Sequence, residues 1–329
     1  AFPWEPEGVS CLAQSGNMLV VGSERATKGD KVGTGRVRKY PLVNFGLTEE
    51  GEVAQFYSAK RGHQKGILCL AANGADIPVF ASGSIDNTVR LWSLKPERPA
   101  LRPLGMLNPA DLLPGGDRPM SVTALSFFPG DPKSLVVGAN EVSGRVRIFD
   151  VDRREAVFEY LIPGKGVLSL SAFEDSHFFV GTQQGDLMLF DKRVAAPASS
   201  YSLGAGVDVS AIACIDSRQV AFSGGAPGLG VFGVWDTRLA GELPFSVRTE
   251  GLVSAFSRRD EESTLLCSGG KLRLHHKGGL LERQFPEALT PGLDHIRFLR
   301  AQGGSVVFAS SLTIATTTWP DVVRFFTAS

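Results

Sequence analysis

The sequence predicts an all-β chain in which one short module of antiparallel strands is copied about seven times. Three observations predict it: a strand–turn–strand phrase that returns down the chain, a repeating distance between its copies, and a composition suited to a packed domain. With 329 residues, 43% of them hydrophobic, and 34 Lys plus Arg against 34 Asp plus Glu, the chain is too apolar to stay disordered and has no net charge. A neutral chain has no general attraction to a polyanion, so nucleic-acid binding is not expected. No window approaches the roughly 18 apolar residues needed to cross a bilayer, so membrane insertion is not expected either. The chain opens Ala1-Phe2-Pro3-Trp4 without an initiator Met, as a trimmed or processed chain would.

The phrase is clearest over residues 62–92. Gly62-His63 precedes an apolar strand from Ile67 to Ala72, then Val79-Phe80-Ala81-Ser82-Gly83-Ser84, a turn at Ile85-Asp86-Asn87, and Thr88-Val89-Arg90-Leu91-Trp92. β-branched and aromatic side chains favour extended backbone, and Gly, Asp and Asn accept the sharp turns between. Good copies pair Val136 to Gly138 with Val146 to Asp150, Phe179 to Gly181 with Leu187 to Asp191, and Ala221 to Gly224 with Phe232 to Asp236. Weaker copies pair Leu19 to Gly22 with Val37 to Tyr40, Leu266 to Gly269 with Leu272 to His275, and Val307 to Ser310 with Val323 to Phe326. The closing residues of the copies fall at 40, 92, 149, 190, 235, 275 and 326, at intervals of 52, 57, 41, 45, 40 and 51. The short intervals fit a four-stranded unit and the long ones mark insertions.

Residues 62–92 resemble a WD40 repeat, with Gly62-His63 opening it and Leu91-Trp92 closing it. The resemblance implies an all-β, seven-bladed WD40 β-propeller with four-stranded antiparallel blades, forming one domain over residues 1–329. Blade cores are expected near 8–59, 62–107, 121–162, 166–203, 209–248, 251–288, and 294–326 completed by 1–5. An open ring leaves a strand edge unpaired, and such proteins commonly finish the last blade with an N-terminal strand. Phe2 to Trp4 is therefore expected beside Val322 to Phe326, where Pro3 suits an outermost position.

Ser82, His63 and Asp86 have the residue types of a hydrolase triad. In the family resembled here, the same three with Trp92 form a buried hydrogen-bonded quartet, and that structural reading is preferred. Gly228 to Gly233 fits GxGxxG but runs into a strand ending at Trp235, so no helix offers its N-terminus to a pyrophosphate. A GxxxxGK[ST] sequence is absent. His63, His177, His275, His276 and His295 lack ligand spacing, and the adjacent pair His275-His276 would point to opposite faces of a strand. Cys11, Cys69, Cys214 and Cys267 form no CxxC and read as reduced buried thiols of a cytoplasmic or nuclear protein. No catalytic residue, cofactor or metal site is therefore expected. Arg38, Arg90, Arg147, Arg273 and Arg324 stand two before the closing residue, which suggests an architectural side chain whose stem packs while its head stays wet. Arg25, Lys28 and Lys31, with Lys60, Arg61 and Lys65, are where nucleic acid would bind if it bound at all.

Function is then expected in loops carried by a rigid scaffold, with other proteins of a larger complex as partners. Three long loops stand out: Glu24 to Thr34, Asn108 to Met120, and Ser311 to Asp321. Leu112, Leu113, Trp319, Lys28 and Lys31 are their candidate contacts. On the opposite rim, Trp235-Asp236-Thr237-Arg238 matches the WDxR motif by which WD40 substrate receptors dock to a cullin-RING ubiquitin-ligase adaptor, and Phe190-Asp191-Lys192-Arg193 is a degraded copy. The resemblance thus implies a non-catalytic scaffold, or alternatively a ligase substrate receptor using Arg193 and Arg238.

Overall fold

A computed structural model of the chain describes residues 7–15, 18–25, 36–43, 46–47, 63–74, 79–93, 102–107, 121–140, 143–163, 166–204, 206–239, 242–251, 253–258, 263–268, 271–276, 281–284, 298–302, 305–309, 313–318 and 322–327. Among these residues lie seven four-stranded antiparallel sheets, each a simple meander. The first holds β1 (Glu7–Ser15), β2 (Met18–Arg25), β3 (Arg36–Val43) and β4 (Gly46–Leu47); the second β5 (Ile67–Ala72), β6 (Val79–Ser84), β7 (Val89–Ser93) and β8 (Arg102–Leu107). The third holds β9 (Ser121–Phe128), β10 (Asp131–Asn140), β11 (Ser143–Asp150) and β12 (Glu155–Pro163); the fourth β13 (Val167–Phe173), β14 (His177–Thr182), β15 (Asp186–Asp191) and β16 (Pro197–Ser202). The fifth holds β17 (Asp208–Cys214), β18 (Gln219–Ala226), β19 (Leu229–Asp236) and β20 (Phe245–Glu250); the sixth β21 (Val253–Arg258), β22 (Ser263–Ser268), β23 (Lys271–His276) and β24 (Leu281–Gln284). The seventh holds β25 (Phe298–Gln302), β26 (Ser305–Ala309), β27 (Thr313–Thr318) and β28 (Val322–Thr327).

Consecutive sheets meet through their first strands, β1 against β5 and so on to β21 against β25, and β4 of the first sheet meets β27 of the seventh. One joint recurs. The first strand of six sheets shifts register just after its opening apolar residue, between Val9 and Cys11, Ile67 and Cys69, Val122 and Ala124, Val167 and Ser169, Val209 and Ala211, and Val253 and Ala255. The residue across the ladder just past each shift is small: Gly22, Gly83, Gly138, Gly181, Ser223 and Cys267. A Cβ added at Gly83, Gly138 or Gly181 would sit 2.5, 2.6 or 2.5 Å from a Cγ1 of Val122, Val167 or Val209 in the next sheet. The missing side chain is thus the socket for the next sheet's opening residue, and Ile67, Val122, Val167 and Val209 are all completely buried. Hydrogen bonds lock the joint: Thr123 Oγ1 donates to Val167 O at 2.5 Å and Ser169 Oγ to Val209 O at 2.9 Å. Lower on the same strands, Ala172 N donates to Ser126 Oγ and Cys214 N to Ser171 Oγ.

The apolar core lies between the sheets. Strand alternation sends Val146 and Ile148 of β11 toward the fourth sheet, where they join Val167, Phe178 and Phe190. It sends Phe149 back toward the second sheet, with Ala81, Val89 and Leu91.

The seventh sheet departs from the sequence reading. Val322 to Phe326 belongs to its fourth strand, and the third is Thr313–Thr318, which lies within the segment read as a long loop from Ser311 to Asp321. β26 accordingly pairs with β27, and β28 holds the outer place assigned to Phe2 to Trp4, which lie outside the described residues. The last of the three long intervals disappears with this correction, because the third strands of the sixth and seventh sheets end at His276 and Thr318, 42 residues apart. The cause is compositional: Thr-Ile-Ala-Thr-Thr-Thr is β-branched but has no aromatic closer, whereas Val-Val-Arg-Phe-Phe imitates one. Arg324 therefore stands on an outer strand, out of phase with the other four arginines.

Candidate functional site

Asp86 sits in the β6–β7 turn, where Asn87 takes a φ of 67° and Gly185 takes 83° at the matching place of the fourth sheet. The turn folds the Asp86 carboxylate back over the segment before β5, where Gln64 N donates to it at 2.7 Å. This brings His63, Ser82, Asp86 and Trp92 together. Trp92 Nε1 donates to Ser82 Oγ at 2.8 Å, and Ser82 Oγ lies 2.7 Å from His63 Nε2. Because the Asp86 carboxylate can only accept, His63 Nδ1–H donates to it at 3.1 Å, and the other nitrogen of the neutral ring, Nε2, accepts the single proton of Ser82 Oγ. Thr88, not singled out from the sequence, joins the network by donating to Asp86 Oδ1 at 2.6 Å. Its signal was its place two residues after the aspartate, in reach of an Asx-type turn.

Burial by itself would raise the pKa of Asp86, but hydrogen bonds and charge attraction from His63, with Thr88 and Gln64 N, hold it well below the usual carboxylate range. The distances would also suit a serine nucleophile with its base. What differs is access, since Ser82 is 0% and His63 2% exposed.

The other sequence candidates are placed as follows. Gly228 to Gly233 spans the turn and first half of β19, with Gly228 at φ 80° in the hairpin, and no helix begins there. His275 is buried and His276 exposed, as alternation along β23 requires. Burial pushes the thiols of Cys11 and Cys214 up to about 12. Arg147 corrects the expectation of a wet head: its side chain is 2% exposed, and its Nε donates to Glu159 at 2.8 Å. Leu112, Leu113, Trp319, Lys28 and Lys31 lie outside the described residues.

Arg193 and Arg238 occupy equivalent turns of adjacent sheets and form equivalent pairs. Arg193 Nη2 donates to Asp191 at 2.6 Å, and Arg238 Nη2 to Asp236 at short range. The backbone N–H of each arginine also bonds its aspartate, at 3.0 Å in both turns. The arginine holds Asp191 down to about 2 and Asp236 lower still. Sixty-eight and 52% of the two arginine side chains remain exposed, so each guanidinium is held along its Nε–Nη2 edge and turns the rest of its surface outward.

Residues 54–93 match the family model for the WD domain, G-beta repeat. A Periodic tryptophan protein 1 homolog of Drosophila melanogaster is 29% identical over 139 residues, covering 40% of this chain and 27% of the relative. A WD repeat-containing protein 26 homolog of the same species is 31% identical over 114 residues, covering 34% and 17%. The matched stretches thus span between a sixth and about a quarter of those relatives' lengths. Among solved structures, U3-55K superposes with a TM-score of 0.70 at 14% identity, covering 94% of this chain and 90% of that one. Chaetomium thermophilum Raptor gives 0.68 at 14% identity, covering 98% and 28%. At that identity the likeness is one of fold. Among the described residues no helix is long and apolar enough to cross a membrane. A matched WD repeat thus lies over the second sheet, and the chain is similar to WD-repeat proteins in that stretch and to propeller structures in its four-stranded sheets.

Proposed function

We propose that the chain is a single seven-bladed, non-catalytic WD40 scaffold that mediates protein–protein interactions within a larger multi-subunit assembly of the cytoplasm or nucleus. Ser82 carries this reading. Its hydroxyl is engaged by Trp92 and His63, fully buried, and part of a chain that ties two loops of the second blade. Such a network rigidifies a module and leaves the turns to meet partners. A serine-directed phosphonate probe is expected to leave the folded chain unlabelled. Stoichiometric labelling lost in Ser82→Ala would replace the scaffold with a hydrolase. Affinity purification of the tagged chain is expected to return a constant set of companion proteins.

A second reading is favoured by one observation, the matched forks Arg193 and Arg238 one blade apart. Fixed guanidinium forks suit acceptors on a ubiquitin-ligase adaptor. Adaptor recovered with the wild-type chain and lost with Arg193→Ala plus Arg238→Ala would establish it, and equal recovery would remove it.

A further inference from the structure

Six large apolar side chains stand exposed among the described residues, and three of them, Val157, Phe158 and Leu161, share the single strand β12. Two of these belong to a corner shared with the fourth blade. Phe158 pairs across the ladder with Ile148 and Tyr160 with Val146, so both face the fourth blade. Tyr160 Oη lies 3.5 Å from Asp191 O, which also accepts Val194 N at 2.9 Å. Phe158 sits two residues nearer the same rim, about 7 Å along the strand. Phe158 and Val194, 48% and 53% exposed, therefore flank the same tyrosine tip, with the bulged Val157 at 46% beside them. The outer strand of the fourth blade offers a contrast. β16, Pro197–Ser202, carries proline and serines and shows no large aliphatic side chain.

We propose that this corner, Val157 and Phe158 of β12 with Val194 of the neighbouring turn, docks a short segment of a partner protein that combines apolar anchors with carboxylates. The proposal rests on the scaffold reading and names one of its working surfaces. The apolar residues call for apolar anchors, because burying a partly exposed Phe and two Val against water-stripped partners is what drives association. The charge follows from which side of each ion pair faces out. Arg193 is 68% exposed over an Asp191 that is 15% exposed, and Arg153 is 75% exposed over an Asp150 that is 28% exposed. Both arginines are thus the outward members of their pairs on either side of the corner, and Asp175, also exposed, lies near enough to Arg193 to act on it. Asp152, the outward carboxylate of that turn, is already held by Lys133 at 2.6 Å. Glu155 opens β12 and places the partner's acidic residues toward Arg193 instead of the strand's start.

Short random peptides displayed on phage and selected against the whole wild-type chain would test this. The expected winners interleave aromatic or aliphatic residues with Asp or Glu. Their affinity should fall at least about tenfold with Phe158→Ser or Val194→Ser and severalfold with Arg193→Gln, more weakly at high salt. Phe158 is half exposed, so its variants should melt as the wild type does. Winners that lack this pattern, or that bind Phe158→Ser as tightly as wild type, overturn the proposal. So does light scattering that shows a dimer dissolved by Phe158→Ser, which would assign the corner to a second copy of the chain. Companions that co-purify unchanged with Phe158→Ser would remove this corner and leave the scaffold standing, whereas no companions for either chain would remove the scaffold itself.

Discussion

The second and fourth blades fill one slot of the same module in opposite ways. In the second, the slot holds His63, Ser82, Asp86 and Trp92, linked donor to acceptor. Register places Val180, Gln184 and Phe190 of the fourth at the positions of Ser82, Asp86 and Trp92, and there Phe190 stacks on Phe178 at 5.2 Å and 8°, and Tyr160 meets it edge-on at 5.1 Å. Polar linkage and aromatic packing are thus alternative ways to close the same space, provided that nothing buried is left unanswered. A mixed slot should be worse than either pure one.

Several experiments would break or sharpen that contrast. The largest effect is expected from Phe190→Ala, which empties the centre of the fourth blade's aromatic cluster and should cost about 3–5 kcal/mol in urea unfolding. Ser82→Ala should cost somewhat less, about 2–3 kcal/mol, because it strands the Trp92 N–H and a His63 nitrogen without creating a large cavity. Combining Val at position 82 with Asp86→Gln and Trp92→Phe, and with His63→Leu so that no imidazole is left buried without a partner, should recover part of that loss. No recovery would mean that the two fillings are not equivalent.

The pH dependence separates the blades further. An unfolded aspartate titrates near pH 3.9, and the Asp86 pKa is lower when folded, so its contribution is complete above about pH 5 and is lost progressively as pH falls through the unfolded and then the folded value. Asp86→Asn should therefore lower stability at pH 7 and narrow the difference from wild type in acid, whereas Gln184→Asn in the fourth blade should leave the acid limb unchanged. The smallest effect belongs to Arg238→Ala, whose guanidinium is half exposed, and the variant should unfold in urea close to the wild-type midpoint. A larger loss would make that turn part of the framework and not a free edge.

What the sequence revealed follows from the same contrast. The polar quartet was legible because rare residue types, His, Asp and Trp, recur at fixed offsets in one short stretch. The aromatic filling of the fourth blade was not, because Tyr160, Phe178 and Phe190 are ordinary core residues until register sets them in contact. Six third strands could be read from an aromatic or histidine closer, while Thr313–Thr318 was mistaken for loop for want of one. Exposure was hidden altogether: Phe158 and Tyr160 are alternate aromatics on one strand face, and only packing against Asp191 and Phe190 decides that one is buried. Arg147 escaped for a similar reason, since its neighbours and not its phase determine whether its guanidinium meets water.

The joint between blades also constrains how such a chain can be cut or lengthened. Ile67, Val122, Val167 and Val209 each seat in a neighbour encoded upstream, so the smallest self-sufficient piece straddles two copies of the module. A deletion or duplication that moves a whole module together with its opening residue regenerates every seam. One that begins a few positions later leaves a glycine facing nothing, and the ring would have to tolerate a dry hole at its weakest point.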